Sequence, residues 1–222
     1  MGFAKFAIDG NDFVGAFGRA TDGFLLMGNN VSEGKKQAME EILGVRAFRI
    51  SIFGSYLVGI YVAANSRGIL LPDFTSDSEI EALRRALPSV RVDVLDGDLN
   101  ALGNNILAND RIAFVNPRFS KNQVAKIREV LGVEVFQTST GGFDTIGANN
   151  IMTNKGIVFN NRIEDDEKDE IERFSGLKGE QSTANFGYVS IGICSIANSS
   201  GTIAGQATTG IEAARIASNL GF

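Results

Sequence analysis

The sequence contains no histidine. Without imidazole, a chain cannot run Ser-His or Cys-His nucleophilic catalysis or bind a metal through histidine. It also lacks the side chain that most often moves protons near neutral pH. One cysteine, Cys194, excludes an internal disulfide and any multi-cysteine metal site. Long apolar runs are missing too, and none approaches the ~20 residues of a membrane-spanning helix. The segment Met1-Gly2-Phe3-Ala4-Lys5 has no charged flank followed by a long apolar stretch, so it does not read as a secretory signal. Phe6 stands where a myristoylation signal needs Ser or Thr. The cytoplasm is therefore the expected location. Cations are also in deficit: Lys+Arg 21 against Asp+Glu 26 gives a net charge of -5, which argues against a protein that simply coats nucleic acid.

What is present is 222 residues, 44% of them hydrophobic, enough for a large core. Their arrangement is periodic. An apolar-Gly pair recurs at Gly15, Gly59, Gly103, Gly147 and Gly192, with spacings of 44, 44, 44 and 45. Ser32, Ser76, Ser120, Glu164 and Thr209, each before a helix-like segment, repeat the same intervals. So do Met39, Leu83, Ile127, Ile171 and Ile216 on the apolar faces of those segments. Three series that share one extra residue in the same interval identify five copies of one unit. The expected layout is a single domain, 1–222, with repeats near 1–45, 46–90, 91–133, 134–178 and 179–222.

The second copy shows what the unit is. Phe48, Ile50 and Ile52 alternate with polar residues, the period of a half-buried strand. Leu57-Val58-Gly59-Ile60-Tyr61-Val62 reads as a further β-rich stretch, and Asn65-Ser66-Arg67-Gly68 as a turn. Ile69-Leu70-Leu71 returns as a strand that stops at Pro72. Ser76-Asp77-Ser78-Glu79 is a capping box, ahead of a helix whose apolar face carries Ile80, Leu83 and Leu87. About three strands and one helix cannot cover both faces of their sheet alone, so neighbours must supply the cover. The last unit is as apolar as the middle ones, which favours a closed, propeller-like α/β ring over a capped solenoid. The five glycines would then occupy equivalent crowded points.

Certain segments carry a resemblance. Asp98-Leu99-Asn100-Ala101-Leu102-Gly103-Asn104-Asn105, with Asn109-Asp110 and Phe114-Val115-Asn116-Pro117, is similar to the centre of the archaeal and eukaryotic translation initiation factor 6 family. Val62 to Pro72, Leu131 to Val135, Thr183 to Gly187 and Thr208-Thr209-Gly210 are similar to further family segments, in the same order. The resemblance covers about Phe6 to Phe222 and departs at Asn116, where the family usually has Ser or His. It implies the pentein fold, no catalysis and no cofactor. It also implies binding to the joining face of the large ribosomal subunit, beside a ribosomal protein near the sarcin–ricin loop. The factor would act as a monomer and keep the small subunit away. A net acidic protein suits that role if its main partner is a basic ribosomal protein rather than bare RNA.

Four asparagines are the candidate contacts. Asn104 and Asn105 follow the third glycine, where other copies have Ala16, Ile60, Ala148 and Ile193. They can touch a partner or hydrogen-bond buried backbone near the ring axis. Asn65 and Asn109, with Asn198, share a turn position that reads as Ala20 and Thr153 in the remaining copies; three amides at one rim suggest a binding face, but turn formation accounts for them better. Cys194, in the apolar strand-like segment Ile191-Gly192-Ile193-Cys194, reads as a buried hydrophobe. Arg46, Arg49, Arg84, Arg85 and Arg91 could touch phosphate or simply solvate a surface. Two rivals remain. One is a pentein-type enzyme acting on guanidino groups, disfavoured because such enzymes use a histidine. The other is a scaffold for a non-ribosomal protein.

Overall fold

A computed structural model describes residues 2–222. It contains five separate three-stranded sheets. In the first, β2 (Gly18–Ala20) runs antiparallel to β3 (Leu25–Gly28), which pairs in parallel with β4 (Ala47–Ile50). The helix α1 (Glu33–Leu43) crosses from β3 to β4. Three further sheets repeat this order, crossed by α3 (Asp77–Ala86), α5 (Lys121–Leu131) and α7 (Asp165–Ser175). The last sheet combines β14 (Ser195–Ala197), β15 (Gly201–Gly205) and β1 (Gly2–Phe6), and α8 (Gly210–Leu220) packs beside it. Parallel pairing of Gly2 with Gly201 through Phe6 with Gly205 ties the two ends of the chain together.

The sheets do not follow the repeat boundaries read from sequence. The strand that opens each repeat hydrogen-bonds into the sheet of the repeat before it: β4 pairs with β3, and β1 pairs with β15. Adjacent repeats are therefore interlocked rather than merely stacked.

The ring closes at its axis. A methyl group on Gly59 would lie 1.8 Å from the Gly15 carbonyl oxygen, and one on Gly103 would lie 2.1 Å from that of Gly59. Gly147 meets Gly103, Gly192 meets Gly147, and Gly15 meets Gly192 in the same way. Five contacts that return to their start define a pseudo-fivefold closed arrangement, the pentein fold. The crowding also explains one departure from expectation. Val58–Tyr61 is a single helical turn, α2, not a strand, and only Ala63–Ala64 pairs as β5. Val58, Ile60 and Tyr61, all of high β propensity, coil here because they must reverse direction where backbones from neighbouring units nearly touch. Equivalent turns occupy Val14–Ala16, α4 (Leu102–Asn105) and α6 (Ile146–Asn149).

The five long helices begin where the serine and threonine series places them. Ser76, Ser120 and Thr209 form full capping boxes with Glu79, Gln123 and Glu212. Ser32 caps without a side-chain bond, and the Glu167 carboxylate accepts the Glu164 N–H at 3.0 Å. The fully buried Met39, Leu83, Ile127, Ile171 and Ile216 hold the helices on their sheets. Among the described residues, no helix is long and apolar enough to cross a membrane.

Candidate functional site

Each helix runs from one face of the ring to the other, so the two faces differ in chemistry. One face gathers the helix N-termini and the tight turns that follow the third strand of each sheet. We call it the tip face. The other gathers the helix C-termini and the asparagine turns. Acidic residues favour helix N-termini and basic ones C-termini. The tip face accordingly carries Asp77, Glu79 and the Asp165-Asp166-Glu167 run, while Arg84, Arg85, Arg128 and Arg173 occupy last turns on the opposite side.

On the opposite face, Asn65 and Asn109 are buried at 2% and 5% exposure. The Asn65 amide donates to the Asn109 carbonyl at 3.1 Å and to the Leu131 carbonyl at 2.8 Å. Its Oδ1 accepts from the Arg67 and Gly68 N–H groups and so forms the turn. Asn109 repeats the pattern toward Thr153, and Asn198 toward Thr21 and Leu43. These amides fix their own turns and clamp the next unit. The equivalent residue in the first unit is Thr21, not Ala20: its Oγ1 accepts from Gly23 and Phe24. A second run of hydrogen bonds lies beside these turns. Ser66 N–H donates to Asp110 at 2.7 Å, Asp110 N–H to Asn154, Asn154 N–H to Ser199, and Ser199 N–H to Asp22.

Asn104 and Asn105 part company. Asn105 is 4% exposed; it donates to the Ala101 carbonyl at 2.9 Å and accepts from the Asn116 amide at 2.7 Å. Asn116, the residue that departs from the family pattern, is thus the partner of a core amide. Asn104 is half-buried in α4, in the axial turn between the tip at Gly97 and β8 (Ile106–Ala108). Its Oδ1 is shielded from solvent and has no hydrogen-bond partner among the described residues. A shielded amide oxygen left unpaired is costly unless a further group comes to it.

The tip turns hold residues that the repeat reading passed over. Phe53 and Phe186 adopt left-handed backbone, with φ of 50° and 64°, while their rings are 74% and 83% exposed. A bulky side chain in that region is strained by roughly 1–3 kcal/mol. The capping glutamates hold both turns in place. Glu79 accepts from Phe53 N–H at 2.9 Å and Gly54 N–H at 3.2 Å. Glu212 accepts from Phe186 N–H at 3.2 Å and Gly187 N–H at 2.7 Å. Burial opposes their charge, but the donated hydrogen bonds win, and both carboxyls are lowered to about 2. Tyr188 and Tyr56 extend the aromatic surface, packing against Phe13 and Phe17. The signal was in the repeat: Phe53 aligns with Asp9 and Gly141, ordinary turn residues.

Cys194 lies in the turn preceding β14, not in a strand, and is fully buried. Burial, with Glu212 and Asp12 nearby, pushes its thiol up to about 12. Four of the five candidate arginines, Arg46, Arg49, Arg84 and Arg91, are engaged within the chain. Arg49 pairs with Glu33, Arg84 with Glu81 and Arg91 with Glu129, while Arg46 sits over the Phe48 ring.

Comparison with known proteins finds relatives along the whole chain. The chain is 33% identical to translation initiation factor 6 of Pyrococcus horikoshii, with all of both chains covered. It is 33% identical to that of Saccharolobus islandicus, again over all of both chains. To that of Thermoplasma acidophilum it is 35% identical over 93% of this chain and 94% of the relative. Among solved structures, an agmatine deiminase from C. jejuni is similar at a TM-score of 0.35 and 10% identity, covering 56% of this chain and 50% of that one, too little to bear on function. The match to the eIF-6 family spans residues 3–219, and the chain belongs to that family of translation initiation factors.

Proposed function

We propose that this factor binds the large ribosomal subunit through its tip face, as a single copy in the cytoplasm, and prevents subunit joining by occupying that surface. The observation that carries the reading is the unpaired, shielded Oδ1 of Asn104, at an axial position where the other units have Ala or Ile. A donor from the partner would satisfy it. Around it, the acidic helix starts offer complementarity to a basic ribosomal protein, which steers encounter and fixes register. The exposed aromatics supply the apolar anchors that dominate interface energies. Blocking requires only a stable interface of ~800 Å² per partner. In this reading Asn104 makes contact, Asn105 supports the turn that carries it, and Asn65 and Asn109 hold the ring rigid from the far face.

No chemistry is needed, and the residues favour none: the chain lacks histidine, and its only thiol is buried and held protonated. Sedimentation with purified large subunits tests the proposal. Asn104→Ser should weaken binding roughly ten- to hundredfold, the equivalent of ~1–3 kcal/mol for a stranded interfacial partner. Its melting temperature should stay unchanged. Unaltered binding with a lowered melting temperature would assign Asn104 to the core and refute the proposed contact.

A further inference from the structure

The ring axis contains a cation with no counter-ion. Arg19, on β2, reaches across the axis to the second and third units. Its Nη2 donates to the Gly59 carbonyl at 2.8 Å and the Gly103 carbonyl at 3.0 Å, and its Nε to Val62 at 3.3 Å. No hydrogen bond from Nη1 accompanies these, and Arg19 forms no ion pair among the described residues. A guanidinium removed from bulk water normally brings an anion with it, because an uncompensated buried charge is costly. Arg19 as a whole is partly exposed, but its guanidinium is desolvated where it crosses the axis, which lowers its pKa to about 10.

Arg19 lines an axial cavity of about 40 Å³. Ala20, Ala108, Met152 and Ala197 form part of its wall, and no carboxylate does. Ser195, from the fifth unit, lines it too; it is 7% exposed, and its hydroxyl is shielded and lacks a partner among the described residues. One unsatisfied hydroxyl and one uncompensated cation thus share a small polar void. Such a void is roomy enough for a single small species, since one water needs ~10–15 Å³ measured the same way.

We propose that this cavity binds a small monatomic anion of halide size, held between the Arg19 guanidinium and the Ser195 hydroxyl. The anion accepts from both and links the fifth unit to the first, while Arg19 continues on to the second and third. Its binding stabilises the closed ring and is independent of the tip face and of ribosome binding.

The test is a melting series in sodium chloride, sodium bromide and sodium gluconate at matched ionic strength, gluconate being too large to enter. At a hundredfold excess over Kd, chloride and bromide should raise the melting temperature by roughly 5–10 °C relative to gluconate. Ser195→Ala should weaken the apparent chloride affinity several-fold, and Arg19→Met should melt at one temperature in all three salts. If Arg19→Met does not fold, chloride-35 line broadening on the wild type and on Ser195→Ala decides the matter. Broadening by the wild type that diminishes in the variant supports the site. Equal melting of the wild type in all three salts, or a halide effect unchanged by Ser195→Ala, would overturn it.

Discussion

Replacing Phe186 with glycine should make the protein more stable and less able to bind. The residue sits at φ of 64° with its ring 83% exposed, so removing the ring forfeits almost no burial. Its backbone N–H, which donates to Glu212, is retained in glycine. Left-handed backbone costs an L residue roughly 1–2 kcal/mol, and glycine escapes that cost. Against this, a glycine loses about 0.5–1 kcal/mol more chain entropy on folding. The balance is a gain of about 0.5–1 kcal/mol, a rise in melting temperature of ~1–4 °C for a chain of this length. Under the proposed interface, binding to the large subunit should move the other way. An aromatic anchor at an interface is commonly worth ~1–2 kcal/mol, so the Kd should rise roughly five- to thirtyfold. Calorimetry and subunit sedimentation on the same preparation measure both. A lowered melting temperature would show that the ring has a packing role, and unchanged binding would remove Phe186 from the interface.

The other expectations concern the ring and its clamps. Glu79 and Glu212 have folded pKa values of about 2 against 4.5, so their contribution is complete above pH 4.5 and is lost as pH falls toward 2. Glu212→Gln should therefore flatten the acid limb of a stability-against-pH curve, and an unchanged limb would contradict the hydrogen-bond account. Asn65→Ala removes both the turn acceptor and the bond to Leu131 and should cost ~2–4 kcal/mol in chemical unfolding. Gly59→Ala places a methyl 1.8 Å from the Gly15 oxygen and should abolish soluble, folded expression. No product should form from arginine or agmatine on incubation with the purified protein, and turnover lost in Cys194→Ala would overturn the non-enzymatic reading.

Much of the architecture could be read from residues because every unit meets the same constraints. The axial glycines, the cap residues and the buried helix positions recur because each packs against its own copies, and a shared period exposes all of them together. Local chemistry that depends on one turn of chain was readable for the same reason, as at Ser76 and Glu79. The helical turn Val58–Tyr61 was not, since its apolar residues favour a strand and only the crowded axis overrides them. The division of labour between Asn104 and Asn105 was equally hidden: it depends on Asn116, eleven residues away, turning its amide toward one and not the other. Strain at Phe186 is a backbone property with no signature except a bulky residue in a turn slot. The separation of acidic and basic faces follows from which end of each helix the charges occupy, and that ordering emerges only once all helices are known to point the same way.

The strand that each sheet borrows from the following repeat has a consequence for synthesis. The first sheet waits for Ala47–Ile50, and the last joins strands far apart in the chain, since Gly2–Phe6 finds its partner only at Gly201–Gly205. In a growing chain Gly2–Phe6 therefore stays without its partner until Gly201–Gly205 has been made, and the axial contacts cannot complete their circuit until the fifth unit arrives. Loop closure over so long a span is entropically slow. A chain that lacks the fifth unit has no complete ring, so the closed fold forms only after Gly201–Gly205 has been made.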